Sequence, residues 1–202
     1  MDFQLIINNF LVILQGLDET LILIFLSLIL GFFISIPFAL ARVSSIKVLS
    51  QSVYYYIFVI RGTPLLVQIY LIYFGLGSIK AVRESFLWIL LKEPFWCGVI
   101  ALVINTVAYT TEIFRGGIQS VNKGQIESCK SLGMNKFTMY FKIILPCAFR
   151  QALPAYGNEM ILMVKATSLV SLTTYMEMTG IARSIMYKTF APVEAFIAAG
   201  SI

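Results

Sequence analysis

Residues Gly124 to Pro146 read GQIESCKSLGMNKFTMYFKIILP, and the reading of this stretch decides the fold. Lys130, Lys136 and Lys142 punctuate it, and long apolar runs lie on both sides. Gln125 to Leu132 contains neither proline nor glycine and can form a short helix. Gly133 follows, where a helix C-terminus favours a residue free to adopt positive φ. Asn135, a residue type whose side chain accepts from orphan amides, then stands ahead of a second helical run, Lys136 to Leu145. Pro146 is expected to end that run, since proline has no amide hydrogen and crowds the preceding turn. Two short helices with a tight bend are therefore predicted. Ser128 and Cys129, small residues beside Glu127, would let another surface approach closely. A polar hairpin of this kind is either a solvated connector or a docking element, and both readings stand at this point.

Composition sets the solvent. Of 202 residues, 59% are hydrophobic and 12% charged, against about a quarter charged in a soluble domain. The chain is read as an all-α integral membrane protein with the lipid bilayer as its surroundings. Sixteen Phe and ten Tyr suit lipid-facing and interfacial positions. The net charge of +5 is spread thinly, with no basic cluster interleaved with aromatics, so no nucleic acid partner is expected. Histidine is absent, which removes the usual proton shuttle and the commonest metal ligand. Cys97, Cys129 and Cys147 lack metal-ligand spacing and read as free structural thiols. No metal, cofactor or catalytic residue is assigned. Asp2 is present and no Lys or Arg precedes Arg42, so the N-terminus is not a secretory signal.

A spanning helix needs about 20 mostly apolar residues. Residues 3–17 are interrupted by Gln4, Asn8, Asn9 and Gln15, and segment 1–19 reads as interfacial, ahead of a transmembrane domain over 20–202. Thr20 to Ala41 carries no charge and forms span one, with Gly31 and Pro37 inside it. Span two runs from about Ser52 to Gly77 with one charge, Arg61, and Pro64 bends it. Residues 77–94 hold Lys80, Arg83, Glu84, Lys92 and Glu93 and belong in water or at a surface. Span three covers about Phe95 to Ile113, and span four about Ala148 to Leu172. Residues 173–192 are mixed, and a last apolar run starts near Val193. That run stops after about ten residues, roughly half a bilayer core, so a fifth span is expected to be cut short by truncation. Loop 42–51 and region 114–150 together hold eight Lys and Arg, the opposite side five. This bias puts 114–150 in the cytoplasm and the N-terminus outside.

Ionisable residues inside spans cost about 2.5–3.5 kcal/mol each on insertion scales and mark pathways. Arg61 can meet a substrate carboxylate or a partner acid, or snorkel to the nearby interface. Glu159 and Lys165, six residues apart, fall on different helix faces. Glu159 can take an amine and Lys165 a carboxylate, or each can pair with another helix. Gln68, Thr167 and Ser168 can line a polar path or serve as helix glue. Glu112 with Arg115 reads as a surface pair beside the hairpin.

Spacing then separates the two readings of the hairpin. Glu127, two small residues, three more, Gly133, nine more, then Ile143-Ile144-Leu145-Pro146 resembles the EAA loop of ABC-importer permeases. RGTPLLVQ (Arg61 to Gln68), YTTEIFRGGIQSVNKGQ (Tyr109 to Gln125) and LPAYGNEMILMVKATSLVS (Leu153 to Ser171) are similar to the polar amino acid (histidine/glutamine/arginine-type) members of that superfamily. The resemblance runs in register from about Thr20 to the C-terminus. It implies a type I ABC-importer permease fold of about five transmembrane helices in a bacterial inner membrane, carrying a polar amino acid such as glutamine. It implies cytoplasmic ABC ATPase subunits, a second permease copy or paralogue, and an extracytoplasmic amino-acid-binding protein. The hairpin, 124–146, becomes a coupling element docking on the ATPase through Glu127, Ser128, Cys129, Gly133 and Pro146. The chain has no GxxxxGK[ST] phosphate loop, so ATP chemistry is expected on another subunit. A channel or ion-coupled secondary carrier is the alternative, but no internal repeat supports it. A membrane-embedded enzyme lacks paired carboxylates and a thiol with a base.

Overall fold

The computed structural model describes residues 3–202, so Asp2 and its expected place at the outer face lie outside the described residues. The described chain is helical throughout, with no strand. Helix α1 is Phe3–Leu14, α2 Leu17–Arg42, α3 Lys47–Gly62 and α4 Leu65–Tyr70, which continues as a π-helical turn, Leu71–Leu76. Short helices α5, Lys80–Arg83, and α6, Trp88–Leu91, lead to α7, Pro94–Gln119. Then come α8, Lys123–Ser131, α9, Lys136–Met139, a π-turn at Tyr140–Ile144, and α10, Leu145–Thr167. A 3-10 turn, Val170–Thr173, precedes α11, Met178–Thr189, and α12, Pro192–Gly200.

Helix α2 fits the expected first span. Asp18 and Glu19 in its first turn and Arg42 in its last match the helix dipole. Among the described residues α2 and α7 are each long and apolar enough to cross a membrane, and α3 with α4 and its π-turn qualifies as a broken pair. Three differences from the expected spans follow. Span two is interrupted outright: α3 stops at Gly62, and Pro64, extended at φ −63 and ψ 135, stands at the start of α4. Span three continues past Glu112 to Gln119. Pro146 ends nothing, because the π-turn opens the coil where the proline withholds its amide, and helix resumes through Pro146 into α10. The mixed segment holds the short helix α11, and the last apolar run is α12.

The chain forms two compact units. One holds chain positions up to Ile29, Thr63–Val103 and Met163–Ile202; the other holds Leu30–Gly62 and Ile104–Leu162. In the first, Leu23, Leu28, Ile69, Val99, Leu102, Met163 and Val170 form the core. A second cluster there packs Ile13 of α1 against Ala182 and Ile185 of α11 and Ala195 and Ala198 of α12. Thus α1 buries one face in protein while Ile7 and Leu11 stay exposed. The start of α11 is tied to α2 by Glu177. This carboxylate, 1% exposed, accepts from the amides of Thr179 (3.0 Å) and Gly180 (2.9 Å) and from the Thr20 hydroxyl (3.4 Å). Burial pushes the Glu177 carboxyl pKa up, and these hydrogen bonds pull it back down.

In the second unit, Ala39, Phe114, Ile118, Met139, Ile144, Ala148 and Ala152 make one core, and Phe32 meets the rings of Phe114, Phe149 and Tyr156 edge-on. Helices α7 and α10 touch at Gly117, where a Cβ would lie 2.5 Å from the Ala148 carbonyl oxygen. Only glycine permits that approach, and it sets the base of the hairpin. Helix α3 packs through Val53 and Ile57 on Ala108, and the Tyr56 hydroxyl donates to the Ile104 carbonyl at 2.6 Å.

Candidate functional site

The hairpin is built by its caps. Asn122 accepts from the Gly124 amide at 2.8 Å and starts α8, two residues earlier than the sequence reading; an Asn just before the run was the available signal. Gly133 sits at φ +71. Its amide donates to the Lys130 carbonyl (3.0 Å), and the Met134 amide to that of Cys129 (3.1 Å), a Schellman closure. Asn135 accepts from the Thr138 amide at 2.7 Å and opens α9. The bend, Gly133 and Asn135 thus take the predicted local roles.

The structure divides the candidate docking residues by face. Glu127 and Ser128 are exposed, with the Ser128 hydroxyl donating to the Gly124 carbonyl at 2.8 Å. Cys129 is 7% exposed and packs in the core with Ala39 and Phe114. It was expected to be exposed beside Ser128, but one residue along a helix is a turn of about 100°, and that rotation carries the thiol inward. Leu132 and Phe137 stand out from the hairpin, strongly exposed. Pro146 is exposed at the rim of an apolar cavity. The hairpin is therefore no free connector: one side is anchored in the core, the other presented.

The intramembrane candidates also separate. Arg61 is exposed, its guanidinium 4.8 Å from the centre of the Tyr109 ring. Both line a cavity of about 450 Å³ with Arg42, Tyr54, Glu112 and Arg115. Glu112 is the hub: Arg115 donates to it at 2.6 and 2.8 Å, and Arg42 lies 3.6 Å away. The sequence reading had Glu112 with Arg115 alone; the reach of Arg42, 70 residues away in the chain, was not visible in spacing. Glu159 is 7% exposed in the same unit.

In the other unit, Gln68 is buried and its amide donates to the carbonyl (3.1 Å) and hydroxyl (2.9 Å) of Thr63. Lys165 is exposed. The Thr167 hydroxyl donates to the Val164 carbonyl (2.8 Å) and that of Ser168 to the Lys165 carbonyl (2.6 Å). These two hydroxyls are turned to the backbone of α10. Among the described residues no cluster of side chains could hold a metal ion.

Residues 24–202 match the family described as binding-protein-dependent transport system inner membrane component. The chain is 50% identical over 203 aligned positions to the nopaline transport system permease protein NocM of Agrobacterium fabrum, covering 100% of this chain and 84% of that one. It is 48% identical to the octopine transport system permease protein OccM of Rhizobium radiobacter, covering 96% and 80%. It is 42% identical to the histidine/lysine/arginine/ornithine transport system permease protein HisM of Escherichia coli, covering 90% and 76%. A solved structure described as an amino acid ABC transporter with histidines is similar at TM-score 0.87 and 38% identity, over 100% of this chain and 90% of that one. With its helical fold and its capped, core-anchored hairpin, the chain belongs to the binding-protein-dependent transport system inner membrane component family, among the amino acid ABC permeases.

Proposed function

We propose that this chain carries a polar amino acid across the bacterial inner membrane, driven by ATP hydrolysed on a separate cytoplasmic subunit that docks on the hairpin. The observation that carries the docking is the two-sided hairpin: Cys129 and Met139 hold it to the core, while Glu127, Ser128 and the Gly133 turn are left outward. An element fixed from behind transmits a push; a solvated loop absorbs it. Cys129 and Pro146 support this element from its inner side. The N-terminus lies outside and region 114–150 in the cytoplasm. A substrate-binding protein delivers the amino acid to the outer face, and a second permease copy or paralogue completes the path.

The names of the relatives include lysine, arginine and ornithine transport, which supports a substrate with a cationic side chain. Glu159, an acid in a span, suits a cationic group, and Arg61, exposed in its cavity, suits the α-carboxylate. Within the other unit, Lys165 is an exposed cation that suits a second carboxylate, with Thr167 and Ser168 beside it in sequence and Gln68 bonded to Thr63.

The test is a pair of variants in the complete importer. Glu127→Lys reverses a charge on the outer face, and Gly133→Val forces a branched side chain into a left-handed position, at about 1–2 kcal/mol. Both should insert normally and lose ATPase association or coupled uptake. Wild-type uptake in both variants would remove the docking role.

A further inference from the structure

Two cavities beside the hairpin share a wall. The first, about 330 Å³, is lined by apolar groups from the helices, among them Ala39, Phe114, Pro146 and Phe149. The second, about 1000 Å³, is bounded by the inner side of the hairpin, with Lys130 and Lys136, and by Ser44 and Ser45 just after α2. Phe141 and Leu145 line both. No carboxylate lines either. Phe141 comes from the π-turn, whose wider coil recurs at functional sites.

A basic, hydroxyl-bearing compartment beside an apolar one, with Phe141 and Leu145 between them, suits an amphiphile with an anionic head. We propose that the pair seats one anionic phospholipid of the cytoplasmic leaflet. Its phosphate lies against Lys130 and Lys136 with the Ser44 and Ser45 hydroxyls as donors, and an acyl chain passes Phe141 toward Ala39 and Phe114. Basic pockets at the cytoplasmic ends of spanning helices suit such head groups. The seat rests on the cytoplasmic placement of the hairpin proposed above. Two features favour a lipid over the ATPase as occupant. The apolar compartment is walled by residues of α2, α7 and α10 with Phe141, a wholly apolar lining that suits an acyl chain better than a water-soluble subunit. On α8, Ile126 and Lys130 line the basic compartment, at the i, i+4 spacing of one face, whereas Glu127, Ser128 and Ser131 lie off that stripe and exposed. Lipid and ATPase can therefore hold the hairpin from opposite sides.

The experiment is native mass spectrometry of the permease assembled with its ATPase, released from nanodiscs of phosphatidylcholine with or without phosphatidylglycerol. The wild-type complex should retain one phosphatidylglycerol per copy of this chain and little phosphatidylcholine. Lys130→Gln with Lys136→Gln should cut retention about thirtyfold, and Ala39→Phe, which fills the apolar compartment, should abolish it. Equal retention by the double variant, or of phosphatidylcholine by wild type, would overturn the proposal. So would a lipid held by the free permease and lost on ATPase assembly, which would give the seat to the ATPase. Lost uptake with the lipid still retained, as expected for Glu127→Lys, marks a fault in coupling and leaves the seat standing.

Discussion

Pro64 and Pro146 follow helical runs of similar apolar character, and of the two only Pro64 breaks the helix. At Pro146 the coil widens into the Tyr140–Ile144 π-turn, and α10 runs on through the proline. At Pro64 the chain leaves helix at Gly62 and re-enters it at Leu65, with the buried Gln68 amide bonded back to Thr63. The difference lies in what the neighbours offer. Before Pro146 the chain has a core to pack on, Ile144 and Ala148 among its members, and that packing carries the helix onward. Before Pro64 stand Gly62 and Thr63, a weak helix former and a residue whose hydroxyl and carbonyl Gln68 can satisfy in extended backbone. A missing hydrogen bond is thus absorbed by the coil in one place and by a side chain in the other.

The largest expected effect is at Pro64. Pro64→Ala removes the roughly 3 kcal/mol barrier to joining α3 and α4. Uptake in proteoliposomes should fall about tenfold or more, with slowed amide hydrogen exchange at 62–65. Pro146→Ala, in contrast, should leave amide hydrogen exchange at 142–147 nearly unchanged, because helix is already continuous there. Equal effects from the two would erase the contrast. Next comes Gln68→Leu, which leaves the Thr63 acceptors without that buried donor and should cost about 1–3 kcal/mol in unfolding free energy; an unchanged denaturation midpoint in detergent would show the break needs no side-chain closure. The smallest effect belongs to the hairpin. Asn135→Ala removes an exposed cap worth about 1 kcal/mol, and should lower the midpoint less than Gln68→Leu does, because water replaces the lost partner.

The comparison also marks where sequence reading reached. The hairpin was legible because its signals are local: Gly133 for positive φ, Asn135 for a cap, the uncharged runs on either side. The fate of Pro146 was not, since it turns on whether a neighbouring core rewards continued helix. Cys129 was misplaced for a related reason: small size says a surface can approach, and only the rotation of α8 against Ala39 and Phe114 says which surface. Glu177 read as one charge in a mixed segment, yet it is nearly sealed, capping α11 and bonded to Thr20, 157 residues away in the chain.

By itself the sequence determined the solvent, the helical class, the apolar span carried by α2 and the capped bend, because hydrophobicity, charge and turn chemistry act over a few residues. Tertiary structure alone decided that span two is broken while the hairpin runs unbroken into α10, that Glu112 gathers Arg42 and Arg115, and that the hairpin has an anchored and a presented face. Those outcomes depend on which distant groups arrive to fill a missing hydrogen bond, balance a charge or bury a side.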